Sequence, residues 1–165
     1  MQKCFFLICP TDYIENAINK TFRSQNYFYT SLGNSFIYDD KTMKYIKKIV
    51  EKHNIQKLCF VLSIDNKIVL DALWKGNFSK IGALNRFQNE IRKEKELSKK
   101  IFKSSNNQFA ILSYFLNKKI KDFKLHLNTV AQHSINIEAK VYYRNQNRFS
   151  SIYSDLVCLQ QYHFN

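Results

Sequence analysis

The chain has 165 residues, a length that suits one domain and leaves room for a real core. Its composition is 45% hydrophobic and 15% aromatic with only 3 glycines and 1 proline, which excludes disordered, collagen-like and turn-dense sandwich classes. Lys and Arg number 26 against 13 Asp and Glu, a formal +13 that favours anionic partners but says nothing about fold. An A+T-rich coding sequence, which favours Lys, Asn, Ile, Phe and Tyr, produces the same mixture.

In chain order, Lys3 to Cys9 reads as a short, fully buried strand ended by Pro10. Its apolar run falls short of the roughly 7–15 residues of a secretory signal. Thr11 or Asp12 can cap a helix whose apolar positions are Ile14, Ala17, Ile18 and Phe22. Asn26 to Thr30 is a second strand, running into Ser31-Leu32-Gly33-Asn34. Asp39-Asp40 is an acidic helix start, followed by Met43, Ile46, Ile49, Val50 and His53 on one face. Lys57 to Leu62 is a third strand. The order β-α-β-α-β implies a parallel sheet with crossover helices.

Beyond it the sequence turns helical. Asp65 to Trp74 is a short helix, and Lys80 to Phe102 a longer one carrying Leu84, Phe87, Ile91, Leu97 and Ile101. Ser104 to Asn107 breaks it, and Gln108 to Asn128 resumes with Phe109, Leu112, Phe115, Leu116, Ile120, Phe123 and Leu127. Ile135 to Tyr143, a turn at Asn145-Gln146-Asn147, and Phe149 to Tyr153 make a hairpin, so the last strand is expected antiparallel. The expected fold class is α/β, one domain over 1–165. Residues 1–74 form the βαβαβ half with the pocket loops, 75–130 a basic helical region, and 131–165 the hairpin and tail. Residues 75–124 carry 13 basic and 4 acidic side chains, so most of the net charge lies on that helical region.

Cys4, Cys9, Cys59 and Cys158 show no CxxC spacing and sit mostly in apolar runs, the usage of reduced thiols in a cytoplasmic protein. No stretch approaches the ~20 apolar residues of a spanning helix, so no membrane is expected. His53, His126, His133 and His163 form no HxxxH pair and are expected in structural or surface roles.

In open parallel sheets, ligands bind beyond the carboxyl ends of the strands. The three early strands end in loops holding Cys9, Asp12, Gly33, Asn34, Ser63, Asp65 and Asn66, which are the candidate pocket residues. The same residue types serve as ordinary turn and helix-cap residues. Leu32-Gly33-Asn34, the helix after it, and Phe60-Val61-Leu62-Ser63-Ile64-Asp65-Asn66 resemble the β-class carbonic anhydrases, from Lys3 to about Asp155. The resemblance implies a mostly parallel sheet flanked by helices, closed by an antiparallel C-terminal strand. It also implies zinc held by Cys, His and Cys, from a Cys-x-Asp-x-Arg loop and a Gly-His-x-x-Cys-Gly loop.

The departures from that pattern lie at the ligands. Cys9 stands at the first cysteine, but Asp12 is one residue too far and no arginine follows it. Ser63 stands at the histidine and Asn66 at the second cysteine, and neither is a good zinc ligand. No metal or other cofactor is therefore expected, nor carbonic anhydrase activity. The expected function is a non-catalytic protein that binds a small polar or anionic ligand or acts in regulation. The family also implies a homodimer, and its N-terminal helical arm has no counterpart expected here. Two alternatives stay open. One is an enzyme with a reorganised site at Cys9 and Asp12, the thiol at a helix start. The other is a nucleic-acid or ribosome-associated protein using Lys99, Lys100, Lys103, Lys118, Lys119, Lys121 and Lys124, with Tyr114, Phe115 and Phe123 among them. A solvated basic face is the preferred reading of that patch.

Overall fold

The computed structural model describes residues 2–35, 37–101, 108–128 and 135–153, with backbone alone at 83, 94, 97–101 and 128. His133, His163, Cys158, Phe102, Lys103, the expected break at 104–107 and the apolar tail at 156–159 lie outside the described residues. The strands are β1 (Lys3–Ile8), β2 (Gln25–Thr30), β3 (Lys57–Ser63), β4 (Asn136–Tyr143) and β5 (Arg148–Ser151). The helices are α1 (Glu15–Thr21), α2 (Asp40–His53), α3 (Lys67–Leu70), α4 (Gly82–Ile101) and α5 (Gln108–Asn128). The sheet order is β2-β1-β3-β4-β5, parallel throughout except for β5, which runs antiparallel to β4.

Both faces of the sheet are covered, which is why β1 and β3 are nearly all apolar. The side-chain period of two sorts each strand between the faces. Phe5, Leu7, Leu58, Phe60, Leu62 and Val141 pack with α2, α4 and α5 into the larger core cluster. Cys4, Phe6, Ile8, Cys59, Val61 and Tyr142 face the other way, under Ile14 and Ile18 of the α1 segment. Cys4, Cys9 and Cys59 are free, buried thiols.

Two boundaries differ from the sequence expectation, each for a local reason. Pro10–Asp12 forms a 3₁₀ turn, and Tyr13 closes it in the left-handed region at φ 51°, so α1 begins only at Glu15. Neither Thr11 nor Asp12 caps it, because the Asp12 side chain turns into the protein instead. The expected helix at 65–74 is split: Asn66 caps the short α3 by accepting from the Val69 N–H at 2.9 Å, and a π-helical turn follows over Asp71–Lys75. Asp39 caps α2 as expected, its carboxylate accepting from the Thr42 N–H at 2.7 Å.

The basic helical region is not a uniform solvated face. Phe115 and Phe123 are fully buried, and Lys119 is only 6% exposed. Its ammonium lies 5.2 Å from the Phe115 ring centroid and 3.8 Å from the Glu90 carboxylate. Burial, opposed by the Glu90 charge, lowers its pKa from the ordinary lysine range. His53 packs against Tyr27, and His126 stacks on Tyr38. Among the described residues no helix is long and apolar enough to cross a membrane.

Candidate functional site

The strand order switches between β1 and β3, which run parallel: β2 lies on one side of β1 and β3 on the other. The crevice beyond these carboxyl ends is where such sheets place ligands. Here the loop after β1 brings Cys9 and Asp12, the loop after β2 brings Gly33 and Asn34, and the end of β3 brings Ser63, Asp65 and Asn66. Hydrogen bonds link Cys9, Asp12, Gly33, Ser63, Asp65 and Asn66, whereas Asn34 bonds to the Val61 carbonyl instead.

Asp12 is the centre of the cluster. It is 1% exposed, and its two carboxylate oxygens are divided between two donors on the β3 side. Oδ2 accepts from the Ser63 backbone N–H at 2.8 Å, and Oδ1 accepts from the Asn66 side-chain amide at 2.8 Å. Burial raises the Asp12 pKa to about 6, against the opposing pull of these two hydrogen bonds.

Cys9 forms the second contact. Its Sγ accepts from the Gly33 N–H at 3.1 Å and lies 3.1 Å from the Thr11 hydroxyl. The Gly33 φ of +60° is a left-handed conformation that favours glycine, and a Cβ there would come 2.8 Å from the Phe87 ring. The loop therefore needs glycine both for its turn and for its approach to α4. Asn34, also left-handed at φ 55°, donates from its amide to the Val61 carbonyl at 3.0 Å. Its buried Oδ1 has no hydrogen-bond partner among the described residues.

The residue that sequence reasoning missed is Arg144. It lies just past the end of β4, and since β4 runs parallel to β3 it emerges on the same edge. Its Nη2 donates to the Asp12 carbonyl at 2.7 Å, and its Nε donates to the Asp65 carboxylate at 3.2 Å. Asp65 also accepts from the Ser63 hydroxyl. Partial burial raises Asp65, but the Ser63 hydroxyl and the Arg144 guanidinium together outweigh it, and its pKa falls below the usual carboxylate range. The resemblance implies an arginine directly after Asp12 in sequence. It comes instead from a strand end 132 residues away. The signal for it was the expected direction of the fourth strand.

The interior of the site is closed. Cys9, Asp12, Gly33, Asn34, Ser63 and Asn66 are buried, and only the rim pair Asp65 and Arg144 is half-exposed. Of two surface cavities elsewhere, one of about 250 Å³ lies around Cys4, Phe22, Lys57 and Glu138. The other, of about 360 Å³, lies beside Trp74. Among the described residues, no three His, Cys, Asp or Glu side chains are grouped to hold a metal ion.

No family model and no curated protein matches the sequence. Solved structures do match. A β-carbonic anhydrase of the fungus Aspergillus fumigatus superposes with a TM-score of 0.71 at 12% identity, over 93% of this chain and 90% of that one. One of two tetrameric β-carbonic anhydrases from Sordaria macrospora gives 0.70 at 11%, over 91% of this chain and 80% of its own. The Coccomyxa β-carbonic anhydrase, solved in complex with acetazolamide, gives 0.68 at 11%, over 91% and 71%. At these identities the likeness is one of backbone architecture: the chain has the fold of the β-carbonic anhydrases.

Proposed function

We propose that this chain is a zinc-free, non-catalytic binding or regulatory protein built on the β-carbonic anhydrase fold. The observation that carries the reading is the Asp12 carboxylate, which bridges Ser63 and Asn66 at 2.8 Å each. Those are the two positions at which the resemblance implies a histidine and a second cysteine. The residues present do not fit zinc. One thiolate, an alcohol and an amide are a poor donor set, and here the amide is already committed to Asp12 and to the Val69 N–H. In this reading a hydrogen-bonded carboxylate ties together the loops that a metal would otherwise join.

Recognition then falls to the rim. Arg144 offers a half-exposed guanidinium beside the Asp65 carboxylate, a geometry suited to a small anion such as bicarbonate or acetate. The test is to titrate zinc and bicarbonate separately against the purified protein and to measure CO₂ hydration. The expected result is no zinc retained after dialysis, background hydration, and saturable bicarbonate binding that Arg144→Ala weakens at least about tenfold. Stoichiometric zinc that Cys9→Ser abolishes, or hydration above background, would sink the proposal.

A thiol reaction at Cys9 is the second reading. The Gly33 N–H favours it, since a donor aimed at Sγ stabilises negative charge there. The full burial of Cys9 weighs against it. Selective labelling of Cys9 by a thiol reagent in the folded protein would reverse that order.

A further inference from the structure

The single tryptophan of the chain is not in the core. Trp74 lies on the π-helical turn Asp71–Lys75 and is 60% exposed, although burying an indole is among the most favourable things a chain can do. The turn beneath it is firmly built. The buried Asp71 carboxylate accepts from the N–H groups of Asn77 at 3.0 Å and Phe78 at 2.9 Å, and from the Gln88 amide at 3.0 Å. These bonds fasten the turn to α4, so the exposed indole stands on a fixed base. Single-turn π segments of this kind are frequent at functional sites.

One cation lies over the ring, and two more line the cavity beside it. The Lys95 ammonium lies 4.1 Å from the indole centroid and donates to the Leu73 carbonyl. Gly76 follows at φ +70°, and a Cβ there would come 2.4 Å from Arg92 Nη2, so the glycine makes room for the guanidinium. Arg92 itself has no ion-pair or hydrogen-bond partner among the described residues. Between these groups opens the cavity of about 360 Å³, within the range of small-ligand sites. Lys75, Arg92 and Lys95 line it, with Glu96 the one acidic side chain among the described residues. It shares no residue with the carboxyl-edge cluster.

We propose that this cavity binds a nucleotide, its base stacked against Trp74 and its phosphate held by Arg92 and Lys75. A flat aromatic surface beside cations, one of them a planar fork with no carboxylate partner among the described residues, is complementary to a π-system that carries a phosphate. A purely apolar ligand would leave the cations unused, and a bare anion would leave the indole unused. The same chemistry is offered by a free nucleoside monophosphate and by a nucleotide within a single-stranded RNA.

Because Trp74 is the only tryptophan, its fluorescence reports this site alone. The probes are AMP, adenosine, inorganic phosphate and a short single-stranded oligo(A). AMP is expected to quench saturably. Adenosine and phosphate should each bind at least about tenfold more weakly than AMP, and Arg92→Ala should weaken AMP by a similar factor. Lys75→Ala, also at an exposed position, should weaken it in the same direction. Oligo(A) binding more than about tenfold tighter per nucleotide than AMP makes single-stranded RNA the source, and equal binding makes it the free nucleotide. The proposal is overturned by no saturable change with AMP or oligo(A). It is equally overturned by AMP binding unaltered in Arg92→Ala, or by adenosine or phosphate alone matching AMP.

Discussion

A carboxylate that is 1% exposed and accepts two hydrogen bonds from the neighbouring strand end is both a tie and a liability. Burial dominates, and the Asp12 pKa rises to about 6 in the folded protein against 3.8 for a free side chain. The folded state therefore holds this proton more tightly than the unfolded chain. The resulting stabilisation is fully present below about pH 4 and is lost as pH rises through about 6. A shift of this size is worth on the order of 2–3 kcal/mol. In Asp12→Asn the titration is gone, so the stability of the wild type relative to the variant should fall by about that amount between pH 4 and pH 7, by urea unfolding at each pH. At pH 7 the variant should still be the less stable of the two. An amide cannot accept from both Ser63 and Asn66, and a buried donor left unpaired costs about 1–3 kcal/mol. A wild-type-minus-variant difference that is flat with pH would mean that Asp12 does not titrate in the cluster.

Elements were legible where periodicity speaks and obscure where a side chain chooses between two jobs. The heptad-like spacing of apolar residues gave α2 and α5, and continuous apolar runs gave β1 and β3. Asp12, however, has the composition of a helix cap and the role of a buried acceptor, a difference only tertiary burial decides. Arg144 was hidden for a related reason: it belongs to a turn in sequence and to the parallel edge in space. The loop after β2 shows the opposite case, since Gly33 was singled out from its scarcity and the structure supplies two reasons for it. Gly33→Ala should cost about 2–3 kcal/mol, from a strained positive φ and a contact at 2.8 Å with Phe87 in a packed core. The thermal unfolding midpoint measures this, and a shift within error would mean that the loop and Phe87 move apart freely. Phe87→Leu in the Gly33→Ala background should recover part of the loss by vacating the ring's space.

For the whole molecule, the formal +13 is an electrostatic load that few acidic groups relieve. Glu90 alone faces Arg86 at 3.2 Å, Lys118 at 3.7 Å and Lys119 at 3.8 Å, so one carboxylate serves three cations on α4 and α5. Such self-repulsion destabilises the compact state and is screened by salt. Raising sodium chloride from about 10 mM to about 150 mM shortens the screening length from about 30 Å to about 8 Å. The melting temperature should rise by a few degrees over that range. A fall would show that specific ion pairs, not net repulsion, dominate. The fold class and the strand directions were readable because they depend on pattern summed over many residues. The chemistry of the site was only half readable, because it depends on where single polar side chains turn.

The Arg144 contact carries one consequence beyond geometry. It joins the first loop of the chain to a residue 132 positions later, and the guanidinium reaches the Asp12 carbonyl only when β4 has paired with β3. Contacts of such separation are the last to be rewarded during folding, because the intervening chain must first be closed into a loop. The early βαβαβ segment can thus gather Cys9, Gly33, Ser63 and Asn66 while the chain is still being synthesised. Its mouth, by contrast, stays without the arginine until the C-terminal hairpin arrives. The anion site proposed at the rim would therefore exist only in a finished molecule.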